Sequence, residues 1–353
     1  MRTSDFDFDF PQELIALRPL PRGEARMLVA VRDAGYGEGE GFSFTQVRRL
    51  VDYLAPGDAL VLNDTRVLKA RLVGKNPAGA RVEALLLAPR PAPPGSQDMR
   101  WEAMIKPSKR FRTGDRIGFS GMEARVAEVL ASGTRLLDFP LSPQEFHEKL
   151  EAVGLIPLPP YIRREPEAAD AEAYQSVFAT HPGSVAAPTA SLHLTPDMLA
   201  EIGRKEVEIL KLTLHVGAGT FKPVQSEDVE AHAMHAETFS LPPATAEALN
   251  ATRKRGGKIW AVGTTAARVL ETQAKGPVGE PFLAGSGETR IFIRPGYAWR
   301  GVDGLLTNFH WPRSTLFMLV CSQLGVERAR RAYAEAFARG FRLFSYGDAM
   351  LIR

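Results

Sequence analysis

Cysteine is almost absent from this sequence: Cys321 is the single cysteine among 353 residues. It cannot form an intramolecular disulfide, and without a cysteine pair the common structural zinc sites lack their thiolates. Long apolar runs are also missing, since Leu316–Cys321 is far shorter than the roughly 20 residues that a membrane helix needs. The DFDFDF start has neither the basic nor the apolar part of a signal peptide. We therefore expect a cytoplasmic protein that does not span a membrane.

The composition is that of an ordinary globular protein, with 44% hydrophobic and 24% charged residues. A length of 353 residues favours about two domains. The net charge of +3 does not by itself indicate nucleic acid. A solvated surface is the plainer interpretation of any one basic cluster, but three clusters together favour a polyanionic partner. Their members are Lys106, Lys109, Arg110 and Arg112, then Arg163 and Arg164, and then Arg253, Lys254, Arg255 and Lys258.

Helix-like and strand-like patterns alternate at both ends of the chain, which indicates an α/β body. Between Lys69 and Phe139 the pattern changes to six short strand-like segments separated by turn residues, which predict a small antiparallel barrel or sandwich. We predict a discontinuous α/β body with a mixed sheet over 1–68 and 155–353, and an inserted β-barrel domain over 69–154. Elsewhere we predict helices over Pro11–Leu17, Thr45–Leu54, Pro243–Lys254 and Thr264–Thr272, and strands over Asp58–Asp64, Lys258–Val262, Arg290–Arg294 and Gly304–Asn308.

Two histidines and a glutamate stand together in HAMHAE, at His232, His235 and Glu237. On a strand His235 and Glu237 share a face, whereas on a helix His232 and His235 do. A zincin needs HExxH on a helix, so a metal site is the weaker interpretation. A histidine beside a carboxylate suits proton transfer near neutral pH. A hydrogen-bonded structural pair is the plain alternative.

Glycines and threonines follow two predicted strands, at positions where backbone amides can meet a ligand. Gly217 and Gly219 stand in LTLHVGAGTF, but the third glycine of GxGxxG would fall at Lys222, so the dinucleotide fingerprint fails. A tight turn is an equal alternative there. Thr264 and Thr265 in AVGTTAAR open a predicted helix, where they either cap it or bind an anion.

Three further segments carry polar residues next to predicted strands. The segment LLTNFHWPRST places Asn308, His310 and Arg313 between a strand and a helix, at the sheet edge where α/β proteins bind ligands. The run GSVAAPTASLH leaves room for a flat ligand, although a close-packed loop is the usual meaning of such a run. VLNDTR puts Asn63 and Asp64 at a strand end, either to meet a cationic substrate or to form an Asx turn.

Taken together, these segments resemble one family along nearly the whole chain, the S-adenosylmethionine:tRNA ribosyltransferase-isomerases of queuosine biosynthesis. The resemblance rests on DFDFDFPQELIA, LVLNDTRVLKARL, RVEALLL, IKPSKRF, YQSVFATHPGSVAAPTASLHLT, LTLHVGAGTFKPV, HAMHAE, AVGTTAARVLE, GLLTNFHWPRSTLFMLV and SYGDAMLI. Several long ordered blocks are more specific than any single motif. The sequence departs from typical members at Ala25, Ser191, Ala218, Ala236 and Trp311.

The resemblance implies a reaction on tRNA. The ribosyl part of S-adenosylmethionine moves onto the aminomethyl group of 7-aminomethyl-7-deazaguanine at the wobble position, and epoxyqueuosine, adenine and methionine result. The cosubstrate is consumed as a carbon skeleton, so we expect no resident cofactor and no metal. We expect a monomer whose partners are this tRNA and S-adenosylmethionine.

Roles for individual residues follow here from residue type. We hypothesise that His235, oriented by Glu237 and relayed by His232, is the catalytic base that removes a proton beside the sulfonium. Asp64 is proposed to meet a cationic part of S-adenosylmethionine. The predicted substrate-binding residues are Asn63, Asp64, Arg66, Thr189, His193, His215, Gly217, Gly219, Thr264, Thr265, Asn308, His310 and Arg313. The predicted tRNA contacts are Lys106, Lys109, Arg110, Arg112, Arg163 and Arg164.

Two other functions remain open at this stage. A metal-dependent hydrolase would use His232 and His235 with a third ligand, His215 or His193. A tRNA-binding module without catalysis would keep the same polar clusters for structural reasons. Neither explains the ordered blocks of sequence.

Overall fold

A computed structural model describes residues 1–32, 41–92, 95–217, 224, 226–275 and 282–353. In these ranges the strands are β1 (Arg26–Ala30), β2 (Phe42–Gln46), β3 (Ala59–Asn63), β4 (Thr65–Val67), β5 (Arg71–Lys75), β6 (Arg81–Arg90), β7 (Met99–Lys106), β8 (Arg116–Phe119), β9 (Met122–Val129), β10 (Arg135–Phe139), β11 (His181–Ser184), β12 (Glu208–Leu214), β13 (Glu237–Leu241), β14 (Ile259–Val262), β15 (Gly285–Thr289), β16 (Gly304–Asn308) and β17 (Ala349–Ile352). The α-helices are α1 (Pro143–Val153), α2 (Asp170–Ala173), α3 (Pro196–Arg204), α4 (Pro243–Lys254), α5 (Gly263–Gln273), α6 (Thr315–Leu324) and α7 (Val326–Ala338). None of these helices has the length and apolar character needed to cross a membrane.

A nine-stranded mixed sheet forms the α/β body, in the order β15-β13-β12-β3-β14-β16-β17-β1-β2. Its central strands β12, β3, β14 and β16 run parallel to one another. Their carboxyl ends therefore meet at one edge of the sheet, where ligands bind in open α/β folds. Every residue of β3, β14 and β16 is buried, as expected for strands covered on both faces.

Two apolar cores lie on opposite faces of this sheet, because successive side chains of a strand point to opposite sides. Ala59 and Val61 of β3 belong to the core that also contains the apolar residues of α5, α6 and α7. Leu60 and Leu62 belong to the second core, with residues of α3 and of the 3₁₀ helix Val47–Tyr53. The sheet is thereby held between two helical layers.

A closed antiparallel barrel, in the order β10-β7-β6-β5-β8-β9, interrupts the body. Its strands coincide with the six segments predicted from sequence, so the predicted fold class is confirmed. Phe146 of α1 packs on the barrel core, with its ring 5.7 Å from that of Trp101. The pairing of β5 with β8 requires glycine at Gly74, since a Cβ there would lie 2.2 Å from the Gly118 carbonyl oxygen.

Three predicted elements differ from the structure. Pro11–Leu17 contains only the short 3₁₀ helix Gln12–Leu14. Within Thr45–Leu54 the first residues belong to β2, and the helix that follows is 3₁₀. Arg290–Arg294 forms no strand, although its alternating residues look like one. Gly285–Thr289, which contains two glycines, pairs with β13 instead. The pairing therefore depends on a strand that is distant in sequence.

Candidate active site

The carboxyl edge of the parallel strands carries a pocket with about 700 Å³ of empty space, part of it open to solvent. We call it the edge pocket. The ends of β14 and β16 supply its floor, and the small-residue segment before α3 closes one side. Its polar lining includes Thr189, Thr264, Thr265, Asn308 and His310, all predicted as substrate-binding residues.

Asn308 is the centre of the hydrogen bonding at this edge. Its Oδ1 accepts a bond of 2.9 Å from the Thr189 hydroxyl, and its Nδ2 lies 3.2 Å from His193 Nε2. Nδ2 also donates to the Phe344 carbonyl. Burial lowers the pKa of His193 to about 4, so its imidazole is neutral and accepts from the amide. Asn308 thus ties three chain segments together at the pocket.

A second neutral histidine, His310, lines the edge pocket itself, whereas His193 contacts Asn308 and is not part of the lining. Burial lowers the pKa of His310 to about 3. Its Nε2 lies 2.8 Å from the Thr307 hydroxyl, and its backbone N–H donates to the hydroxyl of Tyr333 at 2.9 Å. The imidazole therefore stays unprotonated at neutral pH and acts as a fixed polar group.

Helix α5 begins directly at the edge pocket without a side-chain cap. Gly263 starts it with a φ of +88°, a left-handed conformation that favours glycine. The hydroxyl of Thr265 is buried and has no hydrogen-bond partner among the described residues. Free first-turn amides and this hydroxyl are suited to an anion or to ribose hydroxyls.

The edge pocket also has an aromatic wall, which consists of Tyr161, Trp311 and Phe344. The Trp311 and Phe344 rings are stacked, with centroids 4.2 Å apart and planes at 13°. Tyr161 lies 5.0 Å from Phe344 and bonds through its hydroxyl to Ser345. These residues were not predicted as a group, because they come from three distant segments of the chain. The local signals were the isolated aromatics in PLPPYI, NFHW and LFSY.

A second pocket, with about 600 Å³ of empty space partly open to solvent, contains the HAMHAE residues. We call it the histidine pocket. His232, His235, Glu237 and Arg268 line it, and it shares Leu316 with the edge pocket. Neither histidine is on a regular element: His232 ends a 3₁₀ turn, and His235 precedes β13. Desolvation, and then repulsion from His235, lowers the pKa of His232 below its usual value.

Glu237 does not orient His235, in contrast to the hypothesis from sequence. Its Oε2 pairs with Nη1 of the buried Arg268, and its Oε1 accepts the Gly217 N–H at 3.2 Å. A buried guanidinium requires a counterion, and the start of β13 places Glu237 beside α5 to supply it. Gly217 contributes its amide to this carboxylate, and Gly219 lies outside the described residues.

Asn63 at the end of β3 and Asp64 directly after it belong to a structural network, and neither lines one of the two pockets. Asn63 Oδ1 accepts the Leu214 N–H at 3.0 Å, and its Nδ2 donates back to the Leu214 carbonyl. Asp64 accepts from Thr213 at 2.7 Å and lies 3.1 Å from His181. With both oxygens engaged, the carboxylate binds neighbouring protein groups and is not directed at a ligand in either pocket.

Three other predicted contacts also lie away from the two pockets. His215 Nδ1 lies 2.8 Å from the Thr65 hydroxyl, and its ring packs on Gly183, where a Cβ would come within 2.7 Å. Arg66 is exposed beside a separate surface cavity. Arg313 is exposed and pairs with Asp7.

The metal hydrolase alternative finds no ligand set in the described ranges. No three His, Cys, Asp or Glu side chains there are grouped so as to hold a metal ion. The candidate third ligands His193 and His215 have Asn308 and Thr65 as neighbours instead.

Known proteins similar to this chain identify its family. A family profile described as "Queuosine biosynthesis protein" matches residues 3–352. The chain belongs to this family. The resemblance stated from sequence is confirmed, and the relatives named below are similar over their whole length.

Three relatives carry the name S-adenosylmethionine:tRNA ribosyltransferase-isomerase. The protein from Anaeromyxobacter sp. (strain Fw109-5) is 48% identical, with 100% of this chain and 99% of that protein covered. The protein from Geobacter sulfurreducens is 47% identical with both chains fully covered. The protein from Methylocella silvestris is 49% identical, with 100% and 98% covered.

The crystal structure of the S-adenosylmethionine tRNA ribosyltransferase from Thermotoga maritima is also similar to this chain. The two share 32% sequence identity, and the alignment covers 99% of this chain and 100% of that one, with a TM-score of 0.54. Together with the described sheet and barrel, this similarity supports the family's architecture for the chain.

The predicted tRNA contacts divide into exposed and internal residues. Lys106, Arg110, Arg112 and Arg163 are exposed. Arg164 instead donates two hydrogen bonds, of 2.6 and 2.8 Å, to the buried carboxylate of Asp170, which makes it a structural residue. The side chain of Lys109 lies outside the described part.

Proposed function

We propose that this protein transfers and isomerises the ribosyl group of S-adenosylmethionine onto 7-aminomethyl-7-deazaguanine at the tRNA wobble position. Epoxyqueuosine forms on the tRNA, and adenine and methionine leave. The observation that carries this conclusion is the full-length identity of about 48% with proteins named for that activity. The edge pocket supports it, because stacked aromatic rings and the uncapped start of α5 line the same cavity.

The edge pocket suits an adenosine. An aromatic surface stacks on any nucleobase, and such stacking contributes about 1–3 kcal/mol per base. Thr264 and Thr265 lie on the pocket lining near the first amides of α5, where ribose hydroxyls find both donors and acceptors. Thr189 and Asn308 are hydrogen-bonded to each other and supply further polar groups to the pocket lining. We propose that these residues bind the adenosyl part of S-adenosylmethionine.

The histidine pocket supplies a base. A sulfonium acidifies the adjacent 5′ protons, so a base of modest strength can generate an ylide-like carbanion, from which adenine is eliminated. His232 is suited to accept that proton, because its lowered pKa leaves the imidazole unprotonated at neutral pH. His235 lines the same pocket. One of these two imidazoles is the proposed base, without help from Glu237.

The nucleophile belongs to the tRNA and not to the protein. The aminomethyl group of the modified base attacks, so no serine or cysteine nucleophile is required. Cys321 is buried, and burial raises the pKa of its thiol, which keeps it protonated and unreactive. We propose that the protein acts as a monomer in the cytoplasm with neither a metal nor a resident cofactor. The exposed Lys106, Arg110, Arg112 and Arg163 are the proposed phosphate contacts.

Nucleoside mass spectrometry tests this function. The protein is incubated with S-adenosylmethionine and a tRNA that carries 7-aminomethyl-7-deazaguanine, without added metal, and the tRNA is then digested. We expect epoxyqueuosine, with adenine and methionine released in equal amounts. A tRNA with unmodified guanine at the wobble position is the control and should give no product. Absence of product from folded protein that binds the modified tRNA would refute the proposed activity.

A further inference from the structure

Arg268 is a buried arginine with two of its three guanidinium nitrogens unpartnered among the described residues. Its side chain is 8% exposed and lines the histidine pocket. Nη1 pairs with Glu237, but Nε and Nη2 are buried without a partner among the described residues. Burying donors without partners costs free energy, and charged groups cost more than neutral ones. Two unpartnered guanidinium nitrogens that line a pocket therefore indicate that a ligand binds there.

The two free nitrogens are those that bind a carboxylate side-on. Nε and Nη2 form one edge of the guanidinium, whose parallel N–H bonds match the two oxygens of a carboxylate. The barrel of this same chain shows the arrangement at Arg100, whose Nε and Nη2 donate to the two oxygens of Asp138 at 2.6 and 2.9 Å. Arg268 presents the same edge to the histidine pocket with the carboxylate missing.

We propose that the Nε–Nη2 edge of Arg268 binds the carboxylate of the amino-acid part of S-adenosylmethionine. This inference rests on the proposed function and deepens it. Glu237 neutralises the guanidinium from its other side, so the arginine stays in place when the site is empty. The carboxylate then brings two charge-assisted hydrogen bonds that no described protein group provides.

The position of Arg268 on α5 fits the length of the ligand. Thr264 lines the edge pocket one helical turn before Arg268, which corresponds to about 6 Å along the helix axis. An adenosine in the edge pocket can extend its amino-acid arm past the shared Leu316 to Arg268. The sulfonium and the C5′ protons then lie between the two pockets, on the side of His232 and His235. The inference thus explains why the histidines and the arginine share one pocket.

A comparison of two ligands tests the inference. Dissociation constants are measured by calorimetry for S-adenosylmethionine and for decarboxylated S-adenosylmethionine, which keeps the sulfonium and the ammonium. The test variant is Arg268→Lys, which keeps a cation beside Glu237 but loses the paired Nε and Nη2 donors. The matched control is Arg100→Lys, which makes the same change at the barrel arginine. We expect wild type to bind S-adenosylmethionine about 10- to 100-fold more tightly than the decarboxylated ligand. Arg268→Lys should lose most of this preference, and Arg100→Lys should keep it.

Each outcome decides a different point. Equal affinity of wild type for the two ligands, or a full preference retained in Arg268→Lys, would overturn the inference alone. An equal loss of affinity for both ligands in Arg268→Lys would also overturn it, because Arg268 would then only support the fold of the pocket. Failure of folded wild type to bind S-adenosylmethionine at all would overturn the proposed function together with the inference. Since the wild-type comparison needs no variant, misfolding of Arg268→Lys would not prevent the test.

Discussion

Replacing Glu237 by glutamine separates the role that the structure gives this residue from the role suggested by sequence. Glutamine has the same shape and still accepts the Gly217 N–H, but it removes the counterion of Arg268. Both side chains are at most 8% exposed, so the remaining charge stays buried. Removing one partner of a buried pair costs about 3–5 kcal/mol.

Thermal unfolding measures that cost. With an unfolding entropy of about 2.1 cal/mol/K per residue, over 353 residues the penalty corresponds to a fall in Tm of roughly 4–7 °C. The control is Glu335→Gln, which breaks the exposed pair with Arg339 and should lower Tm by less than about 1 °C.

The same two variants are then compared for turnover over a range of pH. If Glu237 only stabilises Arg268, the turnover of folded Glu237→Gln falls without a shift in its pH profile. An unchanged Tm together with a displaced pH profile would refute this reasoning, because it would show that Glu237 acts on a titrating histidine.

Three other measurements follow from the site. Trp311→Ala should weaken binding of S-adenosylmethionine about 5- to 100-fold through lost stacking, whereas unchanged binding in calorimetry would remove the aromatic wall from the site. The imidazole pKa of His232, followed by NMR, should lie below 6.5 in wild type and rise in His235→Gln, because the variant removes a repulsive neighbour. In that variant His232 is therefore protonated at a higher pH than in wild type. A wild-type pKa above 6.5 would contradict this prediction. Arg110→Gln with Arg112→Gln should flatten the salt dependence of tRNA binding by about 0.7–0.9 per lost phosphate contact, and an unchanged slope would exclude these residues from the interface.

Locally encoded elements were predicted well. The six barrel strands alternate polar and apolar residues between turn sequences, and both signals are contained within a few residues. The strand Gly304–Asn308 and the helix Pro243–Lys254 also match the structure. The predicted strand Arg290–Arg294 was wrong because pairing depends on a distant partner: Gly285–Thr289 lies against β13 even though its own sequence is a poor strand former.

The candidate site shows the same division. Sequence motifs located Thr264, Asn308 and His310 at the edge of the sheet, because Asn308 ends a buried strand and the other two lie just beyond the end of one. The grouping of Tyr161 with Trp311 and Phe344 had no local signal, since it joins segments from distant parts of the chain.

The sequence alone determined the family, the α/β body with its inserted barrel, and the sheet edge that carries the edge pocket, since these follow from long ordered motifs and local periodicity. Only the tertiary structure decided how the charged groups are paired. Glu237 faces Arg268 and not His235 because β13 packs beside α5, and a buried guanidinium requires a nearby carboxylate. Asp64 and Arg164 became structural residues for a related reason, since each found its partners through chain packing. Which polar side chain remains free for a substrate is thus set by the packing of distant segments.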